Sequence, residues 1–375
     1  MDPNIRGLFP VARSHVYLNC AAIGPLPTVT VDAITAHLHQ VASSGSAGLN
    51  DWIETKVRVR RLVATMLGVA ADDIAFTRNT TDGLCAVAAG LDWRSGDNIV
   101  SLANEFPANY YPWRRLRDER GVELRLCPER NGRYDTDELC SMIDGRTRLV
   151  AVSAIQYATG FRIDLERVGQ AARASDALLA ADIIQAFGAV PLDLISQNVD
   201  IAAGAGYKWL CAPEGTGIFY VGPRAREHIR PVSNGWTCVE RPWEFADREQ
   251  AFAPGARGWE TGMGGTALLC GLEASLRLLL WVGIERVAKR LGELTDHLCD
   301  IVPGDRFQIV SSRSSGEGSQ IVSLLPLNGT YSADEIAERL ARKGVVVSSR
   351  GGLLRIAPHF FNTFDDIERF AASLP

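Results

Sequence analysis

Lysine is nearly absent from this 375-residue chain. Of its 39 cationic side chains four are Lys, at Lys56, Lys208, Lys289 and Lys343, and the rest are Arg. Basic excess is absent too: the net charge is −5. That argues against a nucleic-acid groove, which gathers positive charge, so no nucleic-acid partner is expected. No run approaches 18 unbroken apolar residues, so no membrane span is expected. The start, Met1-Asp2-Pro3-Asn4, lacks a charged segment leading into an apolar one, so no secretory signal is expected. The eight cysteines contain no C-x-x-C pair, which excludes zinc-ribbon and thioredoxin-like readings. Several lie in apolar runs, and a reducing, cytoplasmic location fits them best. Histidine is scarce, and the one close pair, His37 and His39, does not share a helical face. No metal site is expected.

What is present is an ordinary globular composition, 46% hydrophobic and 22% charged. Helical patterns cover 28–42 and 51–67, joined by a Ser/Gly-rich turn. Short apolar runs follow at 74–77, 98–102, 122–127, 149–155, 177–183, 201–206 and 217–221, spaced by helical segments. Such runs predict an α/β domain with a mostly parallel sheet covered on both faces. Ligands in such sheets sit beyond the C-terminal strand ends. One long amphipathic segment is expected over about 265–292. The C-terminal pattern β-β-α-β-β-α predicts a small α+β domain. The expected division is an N-terminal arm at 1–25, a large domain with its connecting helix at 26–285, and a small domain at 286–375.

Three of the lysines have ordinary settings. Lys56 and Lys289 lie on charged helix faces, and Lys343 closes a helix, where a cation suits the dipole. Lys208 differs. It sits in Gly206-Tyr207-Lys208-Trp209 after an apolar run, with no carboxylate within five residues on either side. Burial there would lower its pKa and free a nucleophilic amine; the alternative is a snorkelling surface lysine. Upstream, Leu178–Asp182 reads as a buried strand ending in a carboxylate, which needs a partner. A pyridinium N–H would serve, and so would a helix cap or turn. Phe76–Gly83 reads as a strand end, small polar residues and a helix start. That pattern suits a phosphate or a plain N-cap.

Together these segments resemble the class V aminotransferase family of fold-type-I pyridoxal-phosphate (PLP) enzymes. The motifs are Asn79-Thr80-Thr81, then Glu105-Phe106-Pro107-Ala108-Asn109, then Asp182-x-x-Gln185. Tyr207-Lys208-Trp209 and Leu354-Arg355-Ile356 before Phe361-Asn362-Thr363 complete the order. That family includes cysteine desulfurases, kynureninase, isopenicillin-N epimerase-like enzymes and C–S lyases. The resemblance implies pyridoxal 5'-phosphate as cofactor, held by Lys208 as a Schiff base. Asp182 would pair with the pyridine nitrogen and Gln185 would reach the phenolic oxygen. Thr80, Thr81 and Tyr207 would bind the phosphate. Phe106 would stack on the ring, or else be a core Phe. Arg355 would hold the substrate α-carboxylate, with Gln156 and Asn19 near the substrate. A homodimer with the active site at its interface is also implied.

Three positions depart from the pattern. The segment 345–354 holds no cysteine, so a persulfide-forming desulfurase lacks its nucleophile. Ala205 stands where the family often has Ser. Met263 stands where the family places a Thr that reaches the neighbouring subunit's phosphate. The implied reaction is Cα deprotonation of an external aldimine, aminotransferase-like, with β-lyase or epimerase as alternatives. A non-catalytic binding protein on the same fold is the reading from another class. The substrate side chain is expected to meet the segment 236–259, with Trp236, Arg241, Trp243, Phe245 and Arg257, or that segment serves a dimer interface.

Overall fold

The computed structural model describes residues 3–375; Met1 and Asp2, the start of the expected arm, lie outside the described residues. The short strand β1 (Val16–Tyr17) belongs to that arm. The large domain is built on β2 (Ile74–Thr77), β3 (Asn98–Leu102), β4 (Glu123–Cys127), β5 (Thr147–Ser153), β6 (Leu178–Asp182), β7 (Ile201–Ala205) and β8 (Gly217–Val221). These form one seven-stranded sheet in the order β2-β8-β7-β6-β5-β3-β4. β8 alone runs opposite to the other six strands. The inner strands match the apolar runs because both their faces are buried, whereas the edge strand β4 is mostly half-exposed. Val150 and Val152 enter one core cluster, while Leu149 and Ala151 enter the other. Residues on both faces must then be apolar, and the period-2 pattern of a half-exposed strand disappears.

The small domain carries β9 (Phe307–Ile309), β10 (Val322–Pro326), β11 (Val345–Val346), β12 (Ser348–Arg350) and β13 (Leu353–Ile356). Four of these form the antiparallel sheet β12-β13-β10-β9, whereas β11 leaves it to pair in parallel with β1 of the arm. The first strand after the helix of the expected β-β-α-β-β-α pattern is therefore two short strands serving two sheets. The arm binds both domains. Arg6 forks onto Asp366 at 2.6 and 3.0 Å, and Phe9 stacks on Phe361 at 4.3 Å between centroids. Asn19 bridges to Ala357, and Ala21 accepts a bond from Gln185 of the large domain.

The single segment expected over 265–292 is instead two helices, Thr266–Val282 and Ile284–Ile301, bent by 77°. Gly283 lies between them at φ +88, a conformation that side chains disfavour and glycine accepts. No single helix among the described residues is long and apolar enough to cross a membrane.

Lys56 also differs from its sequence reading. Its Nζ lies 2.6 Å from buried Glu260, which takes Arg60 at 2.9 Å and the Phe76 N–H at 3.0 Å. One carboxylate thus ties the helix Leu49–Leu67, β2 and the segment before Thr266 together. Glu260→Ala leaves two cations without their shared partner. A loss of about 3 kcal/mol is expected, read as a fall in the urea unfolding midpoint; an unchanged midpoint would show the triad to be dispensable.

Candidate active site

The C-terminal ends of β2, β3, β5, β6 and β7 open on one edge of the sheet and feed the loops that carry the candidate residues. Lys208 follows β7 through Gly206, where a Cβ would lie 2.4 Å from Thr216 Oγ1. The backbone on each side of the lysine is fixed. Gly24 of the arm packs so closely that a Cβ there would overlap the Lys208 carbonyl. The buried His359 ring bonds the Trp209 carbonyl at 3.0 Å. The Lys208 side chain is itself buried, with its Nζ 5.6 Å from the Phe106 centroid and 5.7 Å from that of Tyr207. Burial pulls its pKa down from 10.5 to about 8; Asp182 partly offsets this, and Arg355 and Arg350 add to it.

Asp182 ends β6 opposite Ser153 of β5 and Ala203 of β7. Its Oδ1 accepts one N–H, from Ile184 at 2.9 Å, and burial raises its pKa to about 6. A second buried acid, Glu105, stands beside it. Ser153 donates both its N–H, at 2.6 Å, and its hydroxyl to Glu105. Burial raises Glu105 to about 8, outweighing those bonds, and the Asp182 charge pushes the same way. Glu105 directly precedes Phe106 in the motif, and that adjacency was the one available sequence signal.

Phe106 is no core residue: it is 41% exposed, and its ring meets Tyr157 edge-on at 5.2 Å. Arg355, on β13, is 1% exposed. Its Nη1 donates to the Tyr157 carbonyl at 2.7 Å and its Nε to Ser348 Oγ at 3.2 Å. Burial and the neighbouring Arg350 lower its pKa from 12.5 to about 9. No carboxylate pairs with it among the described residues.

Four candidate residues carry a buried polar atom without a partner. Among the ten such side-chain atoms of the described residues are Asn19 Oδ1, Thr80 Oγ1, Gln156 Nε2 and Arg355 Nη2. Leaving buried groups unpaired is costly, so these four atoms are available to a polar ligand.

The sequence profile of the aminotransferase class-V family matches residues 16–370. The chain belongs to the class V aminotransferase family. It is 28% identical to a probable cysteine desulfurase of Methanothermobacter thermautotrophicus, over 99% of this chain and 96% of that protein. A probable cysteine desulfurase of Pseudomonas putida is 29% identical over 96% of this chain and 94% of its own. In fold it is similar to a cystine C–S lyase solved with cysteine persulfide, with a TM-score of 0.90 and 23% identity over 97% of this chain and 98% of that one.

As a class V enzyme the chain uses pyridoxal 5'-phosphate, and its residues fit that cofactor. A buried amine of lowered pKa, a buried strand-end carboxylate, an open aromatic face and an unpaired Thr80 hydroxyl at a helix start are the groups its aldehyde, ring nitrogen, ring and phosphate call for. Not every candidate is placed alike. Thr81 is exposed, while Thr80 is buried, because the helix Thr80–Gly90 turns successive residues about its axis. Asn79 caps that helix through Asp82, and Arg78 pairs with Asp82 across its first turn. Gln185 is engaged on both sides, donating to Ala21 O at 3.0 Å and accepting Trp209 Nε1 at 2.8 Å, so one amide hydrogen remains for a ligand. Tyr207 is half-buried, with burial and Asp182 raising its pKa.

The aromatic segment around Trp236 lies elsewhere within the chain. Trp236, Trp243 and Arg257 line a cleft of about 410 Å³ with Trp52, Lys56 and Glu260. That cleft is lined by none of Lys208, Asp182 and Arg355. A neighbouring cleft of about 690 Å³ runs between Thr77, Arg78 and the stretch Thr261–Gly265.

Proposed function

We propose that this PLP-dependent class V enzyme acts on an α-amino acid by removing the Cα proton, and that its reaction is transamination. The observation carrying Cα–H removal, the first step of transamination, is Arg355, a buried guanidinium with a free Nη2 and no acidic partner among the described residues, in a site with a buried lysine of lowered pKa. A planar fork of N–H donors suits a carboxylate. Holding the α-carboxylate in place disfavours its loss and leaves Cα–H as the bond to break. PLP, when bound, supplies the electron sink that makes that proton acidic. Lys208 would bond its aldehyde, then take up and return the Cα proton. Asp182 would keep the pyridine nitrogen protonated, Phe106 would cover the ring face, and Thr80, Thr81 and Tyr207 would hold the phosphate. Gln185 would offer its remaining N–H to the phenolic oxygen, while Gln156 and Asn19 would face the substrate.

β-Elimination is the second reading, favoured by the relatives named as desulfurases and by the likeness to a C–S lyase. A desulfurase route through a persulfide on an enzyme cysteine lacks its nucleophile here. The turn between β12 and β13 is Gly351-Gly352, and burial pushes the thiols of Cys20, Cys127 and Cys211 up, away from the reactive thiolate. Single-turnover product analysis separates the readings. Pyridoxamine phosphate with a keto acid is the expected result. Pyruvate, ammonia and a released leaving group would replace transamination with elimination, and inverted amino acid would replace it with epimerisation. A homodimer completes the proposal, with Glu260–Gly264 near the partner's phosphate site. Monomeric sedimentation of the loaded protein would remove that part.

A further inference from the structure

Arg350 ends β12, and the two-residue turn Gly351-Gly352 leads directly into β13. Both turn glycines have positive φ, +57 and +79, the conformation of the tightest hairpin turns. In the strand pair Ser348 lies opposite Arg355, and Arg350 opposite Leu353. Residues two apart on a strand share a face, as do opposed residues. Arg350 and Arg355 are therefore diagonal neighbours on one face of a short, stiff hairpin, with backbones about 7–8 Å apart. From that face Arg355 reaches Ser348 and Tyr157.

Among the described residues Arg350 has no compensating anion. It is half-buried, forms no ion pair among the described residues, and donates once, from Nη1 to the Ser349 carbonyl at 2.6 Å. It also bears on the site electrostatically, since its charge lowers the pKa of both Lys208 and Arg355. Two guanidiniums without ion-pair partners among the described residues bear on one lysine, so they oppose one another and set up a positive field around it. One α-carboxylate at Arg355 neutralises only one of them.

We propose that Arg350 forms a second anion subsite, which selects amino acids with a short acidic side chain. The α-carboxylate would go to Arg355 and the side-chain carboxylate to Arg350. This rests on the reading of the Lys208 and Arg355 side chains as parts of one amino-acid site. It deepens that reading by naming the substrate class.

The test is a titration of the PLP-loaded full chain with L-aspartate against L-asparagine and L-glutamate against L-glutamine. Binding is followed by the cofactor's visible spectrum and by calorimetry. At least one acid should bind about 10- to 100-fold more tightly than its isosteric amide. That ratio should collapse to near one in Arg350→Gln and return in part in Arg350→Lys. Equal binding of acid and amide by the wild type overturns the proposal, as does a preference that persists in Arg350→Gln. If alanine, cysteine and all four of these amino acids fail to change either signal, the amino-acid reading falls and this proposal falls with it. Binding of neutral amino acids without preference for acids leaves the parent reading standing and removes only the second subsite.

Discussion

Lys208→Ala is expected to abolish covalent capture of PLP and to lower turnover by about 10³-fold or more, because nucleophile and proton carrier are lost together. Borohydride reduction followed by peptide mass mapping should place the cofactor on Lys208 in the wild type and nowhere in the variant. Capture by the apoprotein also has a definite pH dependence. The neutral amine attacks the aldehyde, and burial lowers the Lys208 pKa from 10.5 to about 8. At pH 7 about a tenth of the molecules would hold that amine neutral, against about one in three thousand for an ordinary lysine. The capture rate should therefore rise with pH and level off above about pH 8–9. A rate still climbing past pH 10 would mean that Lys208 is an ordinary solvated amine, and retained covalent cofactor in Lys208→Ala would remove it from the centre of the site.

How much of this could be read beforehand depends on how local each determinant is. The strands were legible because a sheet covered on both faces writes itself as apolar runs. β2, β3 and β8 have the expected limits. Lys208 was legible because lysine is rare here and its neighbours are apolar. Asp182 was legible as a carboxylate closing an apolar run. Other features are decided by distant partners. The Glu105–Ser153 pair joins residues 48 apart, and only the strand order brings them together beside Asp182. Gln185 spends half its donors on Ala21, 164 residues away. Thr80 and Thr81 look equivalent in sequence, but one residue of helical rotation buries the first and exposes the second. Lys56 resembled a solvated helix lysine until Glu260 folded against it from 204 positions further on. Arg350 was one Arg among many, and hairpin register puts it on the Arg355 face.

Arg355→Ala should separate substrate binding from cofactor binding. The guanidinium is buried, two of its nitrogens are held by Ser348 and Tyr157, and Nη2 has no partner. A charge kept in low dielectric without a counter-ion is an unfavourable arrangement unless a ligand supplies one. The energy of desolvating it is already committed in the folded protein, so an arriving carboxylate meets a preorganised donor and gains most of the pair's strength. Amino-acid affinity should then fall by about 10²-fold or more in Arg355→Ala, while the cofactor's visible spectrum is retained. Arg355→Lys should restore only part of that affinity, because an ammonium cannot present two parallel donors. The sharpest reading compares alanine with ethylamine, the same molecule without its carboxylate. The wild type should prefer alanine strongly, and Arg355→Ala should bind the two alike. If alanine keeps its advantage in Arg355→Ala, the carboxylate is held elsewhere, and the orientation that leaves Cα–H as the bond to break loses its support.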